Sequence, residues 1–159
     1  MKKLHSEEDI QEMLDHSLRP SWRIGIVYST FYKEEMKAMV DGAVRKLLQM
    51  GMKEERISLY PVSGSYEIPL IGAALAKKKS VDALIGLGII VEGETHHARL
   101  VAETTAQGMM DIQTTFALPF ANEVIYVNAL KLAQERLDKG AVAALCTLHS
   151  LATLSGMQS

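Results

Sequence analysis

This chain of 159 residues has one cysteine, one tryptophan and four prolines. The lone Cys146 excludes an internal disulfide framework, and its apolar helical surroundings mark it as a small core residue. No apolar run approaches the roughly 18 residues that would cross a bilayer, so no membrane association is expected. A net charge of −2, with both signs interspersed, leaves no basic face for nucleic acid or an anionic membrane. Internal repeats, low-complexity tracts and domain linkers are all missing. The N-terminus carries two lysines but turns acidic at once, unlike a secretory signal. What is present is 48% apolar, enough to exclude disorder and to bury a real core in one domain. The cytoplasm is its expected location.

Strand-like and helix-like segments alternate with short connections, the pattern of parallel βαβ units. Ile24 to Tyr28 reads as the first strand. Met36, Met39, Val40, Ala43, Val44, Leu47 and Leu48 then recur at helical spacing until Gly51. Arg56 to Val62 reads as a second strand, and Pro69 fits the first turn of the next helix. That helix ends in Lys77, Lys78 and Lys79, which complement its dipole. Ala83 to Ile90 is an almost unbroken apolar run, as expected of a strand buried on both faces. A helix is expected from about Thr95 to Met110, then a fourth strand over Thr114 to Leu118. Val124 to Tyr126 reads as a short extension of the sheet. Asn128 would cap a helix from Ala129 to Leu137, and Ala141 to Leu154 would form the last. Residues 1–21 stand apart as a short helix starting at Ser6-Glu-Glu-Asp9, and 22–159 read as the domain.

In open α/β sheets ligands bind beyond the carboxyl ends of the strands. Three such ends carry polar clusters: Ser29-Thr30-Phe31-Tyr32, Ser63-Gly64-Ser65-Tyr66-Glu67, and Glu92-Gly93-Glu94-Thr95-His96-His97. The last is the most informative. A buried strand leads through a glycine turn into a helix start, whose unpaired N–H groups suit a phosphate or carboxylate. An imidazole just beyond would reach a bound anion.

These residues resemble the lumazine synthase family, which makes 6,7-dimethyl-8-ribityllumazine in riboflavin biosynthesis. Ser63-Gly-Ser-Tyr-Glu-Ile-Pro69 is similar to the family's Pro-Gly-Ala-Phe-Glu-Ile-Pro, and Gly93-Glu-Thr-His-His97 matches Gly-Glu-Thr-x-His. Pro119 through Gln134-Glu-Arg136 and Lys139-Gly140 resembles the family's tail motif. The resemblance implies a flavodoxin-like three-layer α/β sandwich with a four-stranded parallel sheet. It also implies pentamers, or multiples of five, with sites between subunits. The implied reaction joins 5-amino-6-(D-ribitylamino)uracil to 3,4-dihydroxy-2-butanone 4-phosphate without metal or organic cofactor. Riboflavin synthase is the implied protein partner.

By the same resemblance His97 would shuttle protons, with His96 facing solvent or supporting it. Glu94 and Thr95 would hold the phosphate with Arg136 and Lys139. Phe31 would stack on the pyrimidine, Glu67 would accept from ribityl hydroxyls, and Ser65 and Tyr66 would line that wall. Ile89, Ile90 and Val91 would shape the uracil slot through their backbone groups. The chain also departs from the family. Thr30-Phe31-Tyr32 stands for Arg-Phe-Asn, and Asn122 stands where a neighbouring subunit's aromatic ring commonly covers the pyrimidine. Glu123 replaces a glycine, Tyr126-Val127 replaces paired threonines, and the connection after Arg136 is shorter. Three other readings follow: a diverged paralogue that binds flavin or lumazine or builds a shell, an archaeal-type riboflavin synthase, and a metallohydrolase using Glu94, His96 and His97. Adjacent histidines diverge on a helix, which speaks against the last.

Overall fold

Ile24–Ser29 (β1) is buried at five of its six positions, and the sheet is built outward from it. The computed structural model describes residues 6–19 and 21–158. β1 pairs in parallel with Ile57–Val62 (β2) on one side and Ala83–Val91 (β3) on the other. Phe120–Val127 (β4) completes the sheet beside β3, giving the all-parallel order β2-β1-β3-β4. β3 is buried from Ala83 through Ile90, which explains its unbroken apolar sequence.

Helices cover both faces. Lys33–Gln49 (α2) and Lys139–Met157 (α6) pack with Glu7–Ser17 (α1) over one core, which contains Ile26, Ile85, Leu87, Met39, Leu47 and Leu148. Ile68–Lys77 (α3) and His97–Phe116 (α4) enclose the other, around Val27, Leu84, Ile68, Met109 and Phe120. A short helix, Leu130–Gln134 (α5), connects β4 to α6. This is the three-layer flavodoxin-like arrangement that the family resemblance implies, built from the parallel βαβ units that the alternating pattern predicts.

The helix at the N-terminus lies on its own chain. Ser6 and Asp9 close a capping box, Ile10 and Leu14 join the first core, and Glu7 reaches Lys46 of α2 at 2.8 Å. By length and composition α6 is apolar enough to cross a bilayer, although no continuous apolar run reveals this in sequence. Here it is a core helix, with Ala143, Ala144, Thr147, Leu148, Leu151 and Ala152 buried.

Several expected boundaries move. Thr114 to Leu118 is not the fourth strand: α4 continues to Phe116, and the strand starts at Phe120. Local β preference from Thr114, Thr115 and Phe116 loses to helical burial of Thr105, Met109 and Ile112. Ala117 then ends the helix in the left-handed region, and Gln113 Oε1 accepts from the Phe120 N–H at 2.9 Å. Val124 to Tyr126 lies inside this strand rather than extending the sheet. α4 starts at His97 instead of Thr95, and α6 at Lys139 instead of Ala141. Asn128 caps nothing, because extended Ala129 is the residue before the short α5. Cys146 is exposed on α6, on the side away from the buried stripe, and is not a core residue.

Candidate active site

The three polar strand ends do meet. They enclose a cavity of about 340 Å³ at the carboxyl ends of β1, β2 and β3. The β1 end contributes Ser29, Phe31 and Tyr32, and the β2 end contributes Ser63 to Glu67. The floor is Ile89, Ile90 and Val91, and α4 adds His97, Ala98 and Val101. Eight expected site residues are therefore gathered: Phe31, Ser65, Tyr66, Glu67, Ile89, Ile90, Val91 and His97.

Each is held for a local reason. Phe31 follows β1, with its N–H donating to the Ser29 Oγ at 3.2 Å, and the residue is 62% exposed. Ser65 to Glu67 form a 3-10 turn that runs directly into α3, whose second residue is Pro69. Ser65 is buried, its carbonyl accepts from the Thr105 hydroxyl at 3.4 Å, and its own hydroxyl has no partner among the described residues. That hydroxyl presses on Gly88, where any Cβ would collide with it. Such a close approach requires glycine.

His97 is the first residue of α4, exposed and on the cavity wall. Its N–H points at the Thr95 Oγ1, 3.4 Å away. His96 is also exposed but does not line the cavity, as one residue along a helix start turns its side chain away. Glu94 and Thr95 form the exposed turn before the helix, outside the lining residues.

Asn122, Arg136 and Lys139 also fall outside it. The Asn122 side chain accepts from the Val124 N–H at 2.9 Å on β4. Arg136 sits in the turn after α5, exposed, folded back onto the Leu132 carbonyl at 2.6 Å. Lys139 opens α6 near half-buried Glu123. Burial pushes the Glu123 carboxyl above its usual value; Lys139 opposes that shift and Asp138 adds to it.

Tyr32, named in the β1-end cluster but given no role there, is also on the wall, with φ 58° and ψ 62°, an uncommon conformation for a bulky side chain. Ala98 and Val101 also contribute; Val101 was legible as the position one helical turn past His97. An aromatic ring, a carboxylate and an imidazole around a strand-end cavity make it the candidate small-molecule site of an α/β protein.

Comparison with known proteins makes the class specific. A model of the 6,7-dimethyl-8-ribityllumazine synthase family matches residues 21–155. The chain is 35% identical over 143 residues to the 6,7-dimethyl-8-ribityllumazine synthase of Xylella fastidiosa strain 9a5c, covering 86% of this chain and 93% of that one. It is 39% identical over 123 residues to the enzyme of that name from Burkholderia ambifaria strain MC40-6, covering 77% and 72%. The chain belongs to the 6,7-dimethyl-8-ribityllumazine synthase family.

Proposed function

We propose that this protein condenses 5-amino-6-(D-ribitylamino)uracil with 3,4-dihydroxy-2-butanone 4-phosphate, releasing phosphate and forming 6,7-dimethyl-8-ribityllumazine. It is thus a transferase of riboflavin biosynthesis. The observation that carries this is the single cavity joining Phe31, Glu67 and His97 from three separate strand ends. Phe31 offers a flat face to the pyrimidine, and Glu67 accepts from the ribityl hydroxyls. Ser65 and Tyr66 line that wall, and the backbone of Ile89, Ile90 and Val91 shapes the uracil slot.

The uracil amine attacks the ketone carbon and water leaves to give an imine. Loss of a proton from the adjacent hydroxyl-bearing carbon then expels phosphate and leaves an enol, which tautomerises to a carbonyl; the ribitylamino nitrogen closes the ring on that carbonyl with loss of another water. Every stage moves a proton between nitrogen, carbon or oxygen atoms of the substrates. His97 is the group that carries it, because its imidazole stands on the cavity wall and can both accept and donate a proton.

The phosphate cradle is split between chains in this reading. Glu94 and Thr95 do not line the cavity but lead directly into His97 on its wall; Arg136, Lys139 and, at the pyrimidine position, Asn122 also lie outside the cavity of their own chain. They serve a neighbour's cavity. Phe31, Tyr66, Leu70 and Leu100 are each 59% exposed or more, on the cavity wall or in the first turns of α3 and α4. Exposed large apolar residues of this kind mark a surface covered by a partner. The protein is accordingly a homo-oligomer built in fives, with riboflavin synthase as the partner that consumes its product. Its soluble, polar substrates suit a cytoplasmic enzyme.

The test is to incubate the purified protein with both substrates and follow the absorbance and fluorescence of the lumazine. Formation at a rate proportional to protein is expected. Tight lumazine binding without formation would favour the non-catalytic paralogue, to which Asn122 in place of a ring points. The absence of both binding and formation would overturn the reading.

A further inference from the structure

We propose that Thr30 is a positioning residue for the ring-bearing substrate, a claim that rests on the function proposed above. It latches the Phe31 platform to the loop that carries Glu67. β1 ends at Ser29, which is in register with Val62 at the end of β2. Beyond that pair the two strands would diverge, but Thr30 holds them together. Its N–H donates to the Val62 carbonyl at 3.0 Å. Its hydroxyl lies 3.0 Å from the same carbonyl and 3.3 Å from that of Ser63. Among the described residues, Thr30 is the only side chain hydrogen-bonding residues 29–32 to residues 62–67.

The latch acts at the point where two substrate-facing groups converge. Phe31 is fixed behind by its N–H bond to buried Ser29 and ahead by the left-handed turn at Tyr32. A Cβ built on Gly64 would stand 3.4 Å from the Phe31 ring and 3.3 Å from the Glu67 carboxylate. Ring and carboxylate thus rest on the same glycine, one residue past the Ser63 carbonyl that the Thr30 hydroxyl faces. Their relative placement decides whether one molecule can stack on the ring while its hydroxyls meet the carboxylate. Small misplacement of such groups is costly in binding and turnover.

Thr30→Val keeps the shape and removes the hydroxyl, whereas Thr30→Ser keeps the hydroxyl. In both, the Val62 carbonyl retains the backbone N–H bond and residue 30 is exposed, so thermal unfolding should match wild type. Fluorescence titration with 6,7-dimethyl-8-ribityllumazine should show Thr30→Val binding roughly five- to tenfold more weakly, with Thr30→Ser close to wild type. Where turnover is measured, KM for the aminouracil should rise similarly while KM for the butanone phosphate stays within about twofold. Equal affinity in all three proteins, equal loss in both variants, or loss matched by a fall in Tm would overturn the assignment. Because ligand binding reads the latch without turnover, an inactive wild type would count against the proposed reaction and leave the latch testable.

Discussion

His96 and His97 differ by one position along a helix start, and that difference separates solvent from the cavity wall. His97→Ala should slow lumazine formation by about 10²-fold, the low end for positioned acid–base catalysis, because amine and ketone react on their own. His96→Ala should change it by less than about twofold. Steady-state rates of both variants decide this; equal losses would remove His97 from its role. A second residue makes a prediction about pH. Burial holds the folded-state pKa of Glu123 above the ordinary value of 4.5, so the folded state keeps its proton longer than the unfolded chain does. Stability is then free of this penalty below that value and declines as pH rises through the window up to the folded pKa. Glu123→Gln cannot ionise, so it should be more stable than wild type near pH 7 and lose that advantage near about pH 4. Urea melts across that range measure it. A stability difference that did not vary with pH would show that Glu123 ionisation is not the cause.

At the scale of elements, α2 and α6 approach each other backbone to backbone at Gly140. A Cβ on Gly140 would fall on the Met39 carbonyl, and one on Gly42 would lie 3.9 Å from the Ala141 nitrogen. Backbone on both sides cannot give way as a flexible side chain would. Gly140→Ala should therefore destabilise by about 1–3 kcal/mol, whereas Gly156→Ala, whose added Cβ would meet nothing within 4 Å, should cost nothing measurable. Equal denaturation midpoints for the two variants would contradict this packing. Such tertiary facts explain which parts of the chain were legible in advance. The buried run of β3, the capping box at Ser6 and the strand-end clusters each depend on neighbours in sequence, and each was readable. The end of α4 depends on Met109 and Ile112 reaching a core made elsewhere, so Thr114 to Phe116 gave a false strand signal. Cys146 failed likewise, since an apolar helix shows which residues are apolar but not which stripe faces inward. In the cavity, the meeting of the strand-end clusters was readable, Tyr32 included, but its left-handed turn has no signature in an aromatic residue, and Ala98 and Val101 were missed.

The whole molecule poses the question of the shared site. One chain holds the ring, carboxylate and imidazole around its cavity, while Arg136 and Lys139 stand elsewhere on its surface. If neighbours exchange these groups, activity belongs to the assembly and not to the chain. Heterologous contacts of this kind give a closed ring where the rotation between neighbours closes and an open filament where it does not; the proposal above takes the closed form. Leu100→Asp would place a charge in the contact and should shift light-scattering mass toward the monomer, with loss of activity and an unchanged circular dichroism spectrum. Retention of both assembly and activity would count against that surface as the interface. The most direct measurement mixes two inactive variants. His97→Ala and Arg136→Ala are dissociated, combined, reassembled and assayed for lumazine formation alongside each variant treated alone. Activity that appears only in the mixture is the expected result, since some sites then pair an intact His97 cavity with an intact Arg136 from the neighbour. A mixture as inactive as its components, while wild type recovers fully from the same treatment, would contradict the shared site.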